Sequence, residues 1–330
     1  MEIDLEDVRH EQIGIVGVGN MGGAIARSML RAGIRLTAFD LSEAARNAIA
    51  AEGASLAPGL DELVTACKVI SIVVVTDAQV RDVGERIVRS AAPGTIILIH
   101  STIRPGTVVD LARLGDERGV AVLDVSVNGG NEKASLGSLT LMVGGPQAVV
   151  DYCWPLFETF GANIFHMGPV GSGVVGKLVN NLIALGSYAL QLEAMRLAAA
   201  YGLEEDDVTG AVIASMGDNR GIRTWGRHDR KRAIRASQGV DWSERMGRDL
   251  EEAAIAAGAR GELLPVTAMI AEAMPSMLRR RDRELAKNPA PVIPVCKICD
   301  QELAKVFRER GVHPECTPEG SPFPAAPSSM

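Results

Sequence analysis

The stretch Ile13-Gly14-Ile15-Val16-Gly17-Val18-Gly19-Asn20-Met21-Gly22 leaves a chain few folds to choose from. A β-branched apolar run meets three closely spaced glycines and passes at once into the amphipathic pattern Met21–Ala32. That order reads as strand, tight turn and helix. Gly17 permits the turn, Gly19 lets the backbone come close to a bound group, and Gly22 lets the helix pack against the strand. The free amides and dipole of the new helix favour an anion there, such as a pyrophosphate. Gly17, Gly19, Asn20, Met21 and Gly22 are therefore the first candidate residues for holding a dinucleotide.

The surrounding alternation extends the turn into a domain. Strand candidates recur at Ile13–Val18, Arg35–Phe39, Val69–Val75, Thr95–Ile99, Val120–Asp124, Leu139–Val143 and Asn163–His166. Helical stretches such as Met21–Ala32, Glu43–Ala51, Gln79–Arg89 and Thr107–Glu117 lie between them. Continuous Val/Ile runs joined through helices describe a parallel sheet covered on both faces, the doubly wound Rossmann-type α/β pattern. After Gly173 the character changes: Val174–Tyr201 is a proline-free helical run, followed by helical patterns at Glu204–Ala214, Trp242–Ala257 and Glu262–Glu272. The expected order is a dinucleotide-binding domain over residues 1–167, an all-α substrate and oligomerisation domain over 168–288, and a linker with a short tail over 289–330. Pro289, Pro291 and Pro294 mark the linker.

A chain of 330 residues, 47% hydrophobic and 23% charged, can bury two such cores. Its formal charge of -7 argues against nucleic acid or an acidic membrane as the partner. The longest apolar runs, Val69–Val75 and Thr95–Ile99, are strand-length, far short of the roughly 20 residues that span a bilayer. The acidic start Met1–Gln12 lacks the apolar core of a secretory signal. A cytoplasmic protein acting on a small molecule is expected.

Asp40 closes the second strand, placed to accept hydrogen bonds from an adenine-ribose diol and to repel a 2′-phosphate. Leu41 and Ser42 supply no compensating cation, so NAD is expected in preference to NADP. Two further strand ends, Val75-Thr76-Asp77 and His100-Ser101-Thr102, should line the cofactor groove through Val75, Thr76 and Thr102. Asp77 reads either as part of that groove or as the cap of the helix after it, and His100 reads as a packed strand-end histidine with no role assigned.

The most informative stretch is Gly168-Pro169-Val170-Gly171-Ser172-Gly173, followed by Lys177 and Asn181. It opens the long helix directly after the last strand. Lys177 and Asn181 share one helix face, and the glycines keep the first turn clear of side chains. A dehydrogenase needs a proton donor or acceptor at the alcohol oxygen while hydride moves. A lysine in a partly desolvated pocket can serve, with an amide beside it to hold the ammonium or the substrate hydroxyl.

With these motifs the chain resembles the β-hydroxyacid dehydrogenase family, which includes 3-hydroxyisobutyrate dehydrogenase and tartronate semialdehyde reductase. The resemblance covers roughly residues 12–280, through Gly17–Gly22, Ala26 and Gly33 and through Gly168–Asn181. It implies a Rossmann domain plus a helical domain, in homodimers or homotetramers packed through the helical parts. It also implies catalysis by Lys177, substrate positioning by Asn181 and a nicotinamide-ribose contact by Thr102.

Two departures bear on the substrate. The family's loop Asp-x-Pro-Val-Ser-Gly-Gly here reads Asp124-Val125-Ser126-Val127-Asn128-Gly129-Gly130, so Asn128 stands where a serine helps to hold a carboxylate. Gly129 and Gly130 still offer backbone amides to an anion. In the helical domain the family's Lys-Asp-Leu has become Arg248-Asp249-Leu250, whose planar guanidinium suits a carboxylate. The basic segment Asp218–Arg235 reads either as a solvated loop or as a place where Trp225 and one arginine close over an anionic substrate.

Cys67 and Cys153 stand in apolar contexts and read as buried thiols. In the tail, Cys296, Cys299, His313 and Cys316 have the spacing of a structural Cys₃His zinc site, resembling small zinc-knuckle modules. A redox Cys-x-x-Cys and a chance cluster of unbound thiols are the alternatives. The whole reads as an NAD-dependent 3-hydroxyacid dehydrogenase. An imine reductase and a non-catalytic NAD-binding interaction protein are the rivals, and Lys177 counts against both.

Overall fold

The computed structural model describes residues 7–237 and 242–287. The chain divides between Asn180 and Asn181 into two compact units, each with its own apolar core.

In the first unit eight strands form one sheet: β1 Ile13–Val16, β2 Leu36–Phe39, β3 Ser55–Leu56, β4 Val69–Ile72, β5 Ile96–Ile99, β6 Ala121–Asn128, β7 Leu139–Gly144 and β8 Gly161–Gly168. Their spatial order is β3-β2-β1-β4-β5-β6-β7-β8, and β1 to β6 run parallel. The central strands β1, β4 and β5 are buried along their whole length, in keeping with sequences that are apolar except for Ser71 of β4. Helices α1 Asn20–Arg31, α2 Glu43–Ala50, α3 Leu60–Ala66, α4 Asp77–Ser90 and α5 Pro105–Asp116 make the crossovers, with α6 Gly130–Ser135 and α7 Gln147–Phe157 later in the unit. Ile25 and Met29 of α1, Phe157 of α7 and Phe160 fill the core against Ile13 and Ile15.

The doubly wound fold expected from sequence is present, with one difference in direction. β7 runs antiparallel to β6, pairing Asp124 with Gly144 and Asn128 with Thr140, while β8 runs parallel to β7. A parallel return needs a crossover of about a dozen residues or more. The segment between β6 and β7 holds only the short helix α6.

Helix α8, Ser172–Ala200, starts in the first unit and continues into the second. Among the described residues it alone is long and apolar enough to cross a membrane by length and composition, a property it shares with core helices. In the second unit Leu185, Tyr188, Leu192 and Met195 recur at helical spacing along α8 and are buried with Ile213, Met246, Leu250, Met274 and Leu278. The remaining helices are α9 Glu205–Ile213, α10 Arg220–Arg223, α11 Arg227–Ser237, α12 Trp242–Gly258 and α13 Pro265–Lys287.

Two expectations are corrected here. The basic segment is not a loop, because α10 and α11 occupy most of it. The last helix does not stop at Glu272 but runs through Pro275. Gly247 of α12 lies opposite that proline, where even a methyl group would come within 3.2 Å of Pro275 Cγ, so the ring has room. Cys67 and Cys153 are buried free thiols, as read from sequence. Cys296, Cys299, His313 and Cys316 lie outside the described residues.

Candidate functional site

Strand order reverses at β1, whose neighbours β2 and β4 leave on opposite sides, so the carboxyl ends of β1 and β4 flank a crevice. Gly17 stands at that end of β1 with φ +91, a conformation other residues adopt only under strain. Gly22 packs so closely on the turn that a Cβ would lie 1.9 Å from the Gly17 carbonyl oxygen. Both glycines are therefore needed by the protein itself.

Gly19 is different. Its φ is an ordinary -66, and a Cβ there would meet nothing within 4 Å. The chain has no steric use for a bare residue at this point, but a close-approaching ligand does. Gly19 also gives the first turn of α1 no side-chain cap, which leaves amide donors at the helix start for an anion. On these observations the turn fits a dinucleotide pyrophosphate.

Asp40 sits just beyond β2. Its carboxylate accepts from the amides of Val18 at 2.7 Å and Ser42 at 2.8 Å, and the Arg46 guanidinium donates to its carbonyl at 2.6 Å. It thus anchors the glycine turn, each of its carboxylate oxygens accepting from a backbone amide. On the β4 side, Thr76 rather than Asp77 caps α4: its hydroxyl accepts from Gln79, whose side chain returns the bond to the Thr76 and Val75 amides. The Asp77 carboxylate instead reaches the start of α5, accepting from the Arg104 amide at 3.0 Å and the Thr107 hydroxyl at 2.8 Å.

Ser101 ties the ends of β4 and β5 together, donating to the Val74 carbonyl and accepting from the Val74 amide. Thr102 beside it is half-buried. His100 is fully used as structure: Nδ1 donates to the Val125 carbonyl at 3.0 Å, which leaves Nε2 to accept from the Ser71 hydroxyl at 3.1 Å. Desolvation pushes this imidazole down to about 4, so it stays neutral.

The second group of candidates meets at the end of β6. Lys177 of α8 donates from Nζ to Asn128 Oδ1 at 3.2 Å, joining residues far apart in sequence. An ammonium is only a donor, so the Asn128 carboxamide must present its oxygen to Lys177 and keep its NH₂ for another acceptor. Directly after it, Gly129 and Gly130 have φ of +136 and +78, which only glycine adopts readily. Asn128, Gly129 and Gly130 therefore bring hydrogen-bond donors to the neighbourhood of the lysine.

One residue that sequence reasoning passed over belongs to the same strand. Asp124 is 0% exposed, and its carboxylate accepts from the Gly171 amide at 2.7 Å and the Val174 amide at 2.8 Å. Burial raises its pKa while the amides of the α8 start oppose that rise. The available signal was an acidic residue ending the otherwise apolar run Val120–Asp124.

Residues 12–168 match the family profile described as the NAD binding domain of 6-phosphogluconate dehydrogenase. The NAD-dependent L-serine dehydrogenase of Pseudomonas aeruginosa is 34% identical over 263 residues, which span 78% of this chain and 88% of that protein. The chain belongs to the β-hydroxyacid dehydrogenase family. A structure of Mycobacterium tuberculosis 3-hydroxyisobutyrate dehydrogenase with L-serine matches with a TM-score of 0.71 at 23% identity, covering 91% of this chain and 99% of that one. Streptomyces aurantiacus imine reductase matches with a TM-score of 0.58 at 19% identity, covering 82% and 99% respectively. These two likenesses concern the fold.

The helical unit of this β-hydroxyacid dehydrogenase disposes its candidates separately. Asn181 is buried and donates to Asp249 at 3.2 Å. Arg248, next to that aspartate, is exposed. Trp225 departs from the expectation that it closes over a substrate. It is 7% exposed, donates its indole N–H to Glu205 at 2.8 Å and lies under the Arg281 guanidinium. Arg232 is likewise core, donating to Asp282, Asp229 and Tyr188. A buried guanidinium keeps its charge only with such partners, so the basic segment turns part of its charge inward.

Proposed function

We propose that this β-hydroxyacid dehydrogenase oxidises a small β-hydroxy acid, or reduces the matching semialdehyde or keto acid, with Lys177 as the proton-transferring residue. The observation that carries the reading is the Lys177–Asn128 contact, which joins the helix start Gly168–Gly173 to the donor loop Asn128–Gly130. A bound nicotinamide dinucleotide supplies the hydride acceptor or donor.

Gly17, Gly19, Asn20, Met21 and Gly22 hold its pyrophosphate, and Asp40 faces the adenine ribose, whose diol it favours over a 2′-phosphate. Val75, Thr76 and Thr102 line the ends of β4 and β5. At the substrate, Lys177 Nζ takes the hydroxyl proton during oxidation and returns it during reduction. Asn128 Nδ2 and the amides of Gly129 and Gly130 orient the carboxylate. The L-serine dehydrogenase relative supports a substrate with a hydroxyl on the carbon β to the carboxylate.

The test is NADH formation with NAD and a panel of 3-hydroxy acids, including L-serine and 3-hydroxyisobutyrate. Lys177→Ala is expected to abolish turnover while dinucleotide binding, followed by fluorescence, persists. Undiminished turnover in that variant would remove Lys177 from the mechanism. Turnover of cyclic imines with none on hydroxy acids would overturn the substrate class.

A further inference from the structure

We infer that Asp124 is a positioning residue for Lys177: from β6 it caps the helix that carries the lysine and fixes where Nζ arrives. The inference rests on the reading of Lys177 given above. Helix α8 is entered through Gly171, which has no side chain with which to cap it. The first amides of any α-helix lack intrahelical acceptors. At the start of α8 two amides, that of Gly171 just before the helix and that of Val174 in its first turn, go to the two separate oxygens of Asp124. The cap thus comes from a strand 47 and 50 residues upstream.

The packing around that carboxylate leaves it no alternative place. A Cβ on Gly144, the β7 residue paired with Asp124, would lie 2.4 Å from Asp124 Oδ1. A Cβ on Gly173 would lie 2.3 Å from the Met142 carbonyl oxygen and 2.9 Å from that of Asp124. The first turn of α8 therefore rests directly on the β6–β7 ladder, with the carboxylate closed in by glycines on the strand and on the helix. Asp124 and Asn128 point to the same face of β6, because side chains alternate along a strand. Lys177 follows Val174 by less than one helical turn. One helix and one strand are thus joined twice, by the fully buried carboxyl group of Asp124 and by the Lys177–Asn128 contact. The first joint sets the register in which the second can form.

The test uses Asp124→Asn, nearly isosteric but able to serve only one of the two amides as acceptor, and Gly144→Ala, which displaces the carboxylate without altering it. Steady-state kinetics, dinucleotide binding and amide hydrogen exchange of residues 171–177 are measured for each. Displacement of a reacting group by about 1 Å can cost on the order of 10²-fold in rate. Both variants are therefore expected to lose about that much kcat, with dinucleotide affinity retained and KM for the hydroxy acid changed less than about threefold. Exchange at residues 171–177 should rise in both.

In a Lys177→Ala background, Asp124→Asn should change the residual rate little, since its effect is exerted through the lysine. A folded Asp124→Asn enzyme with wild-type kcat and unchanged exchange would overturn the inference. So would loss of kcat of the same size in the presence and absence of Lys177. If the wild-type enzyme turns over no hydroxy acid, the functional reading fails by itself. The exchange data then decide the cap: faster exchange at residues 171–177 in both variants upholds it, and unchanged exchange overturns it.

Discussion

Arg232 offers a direct check on how the helical unit is held together. Its guanidinium is 3% exposed and donates from Nη2 to Asp229 at 2.6 Å and to Asp282 at 2.8 Å, and from Nη1 to the Tyr188 hydroxyl at 2.8 Å. Tyr188 in turn donates its hydroxyl hydrogen bond to Asp229, and Arg281 pairs with both Asp229 and Glu205. In Arg232→Met the stem volume is kept and the charge removed. Asp282 is 43% exposed and can turn to water, so its loss of a partner costs little. Asp229 is 8% exposed and keeps only Tyr188 and Arg281. Removing one partner from a buried ion pair costs about 3–5 kcal/mol. With two partners left on Asp229, the lower end, about 3 kcal/mol, is expected. In a unit of this size that lowers the midpoint of thermal unfolding by roughly 6–12 °C. Circular dichroism melts of wild type, Arg232→Met and the control Asp282→Asn measure it, and the control should shift by less than about 1 kcal/mol. Below the melting range, KM for the hydroxy acid should be unchanged in Arg232→Met. A KM raised tenfold with the midpoint unmoved would place Arg232 on the substrate and refute the structural assignment.

Gly19→Ala should leave the melting midpoint of the apo protein unchanged, because its Cβ meets nothing, yet weaken dinucleotide binding by about tenfold or more through lost backbone approach. Gly22→Ala should destabilise the apo protein itself; fluorescence titration and melts of the two variants separate these effects, and equal stability losses would contradict them. His100 and His228 are each pushed down to about 4 by burial. Below the ordinary histidine range the unfolded chain then binds protons that the folded one does not, so their contribution is present above about pH 6.5 and is lost as pH falls toward 4. Each should add a slope of up to about 1.4 kcal/mol per pH unit in that window. Urea melts at several pH values should show the slope reduced in His228→Phe, whose ring can keep the stack on Tyr188.

The parts of this protein legible in its sequence are those governed by local sterics and periodicity. Gly17 and Gly22 are dictated by a turn a few residues long, and the alternating pattern of residues 13–166 marks every strand except the two-residue β3, with most of the crossovers. What escaped depends on neighbours distant in the chain. Nothing local says that β7 turns back against β6, or that Gly247 on α12 makes room for Pro275 on α13. Trp225 and the arginines of its segment read as a solvated loop or a cover for an anionic substrate; Asp229, Asp282 and Glu205, on three different helices, make the burial of Trp225 and Arg232 tolerable. Around the candidate site, Lys177 was legible from its glycine-rich approach. Its partner Asn128 was read as a substrate residue alone, and Asp124 was matched to the family loop without a role, because a cap supplied from another strand has no spacing rule.

The bonds that tie the loops after β4 and β5 have a thermodynamic corollary. Ser101 holds Val74, Gln79 holds Val75 and Thr76, and Asp77 holds Arg104 and Thr107, so both loops have their shape before any ligand arrives. A dinucleotide settling against them need not freeze loose chain, and the entropy of ordering is largely spent during folding instead. On the NAD reading proposed above, selectivity between cofactors falls to fixed groups such as Asp40, which a loop shaped in advance cannot rearrange to accommodate the wrong one.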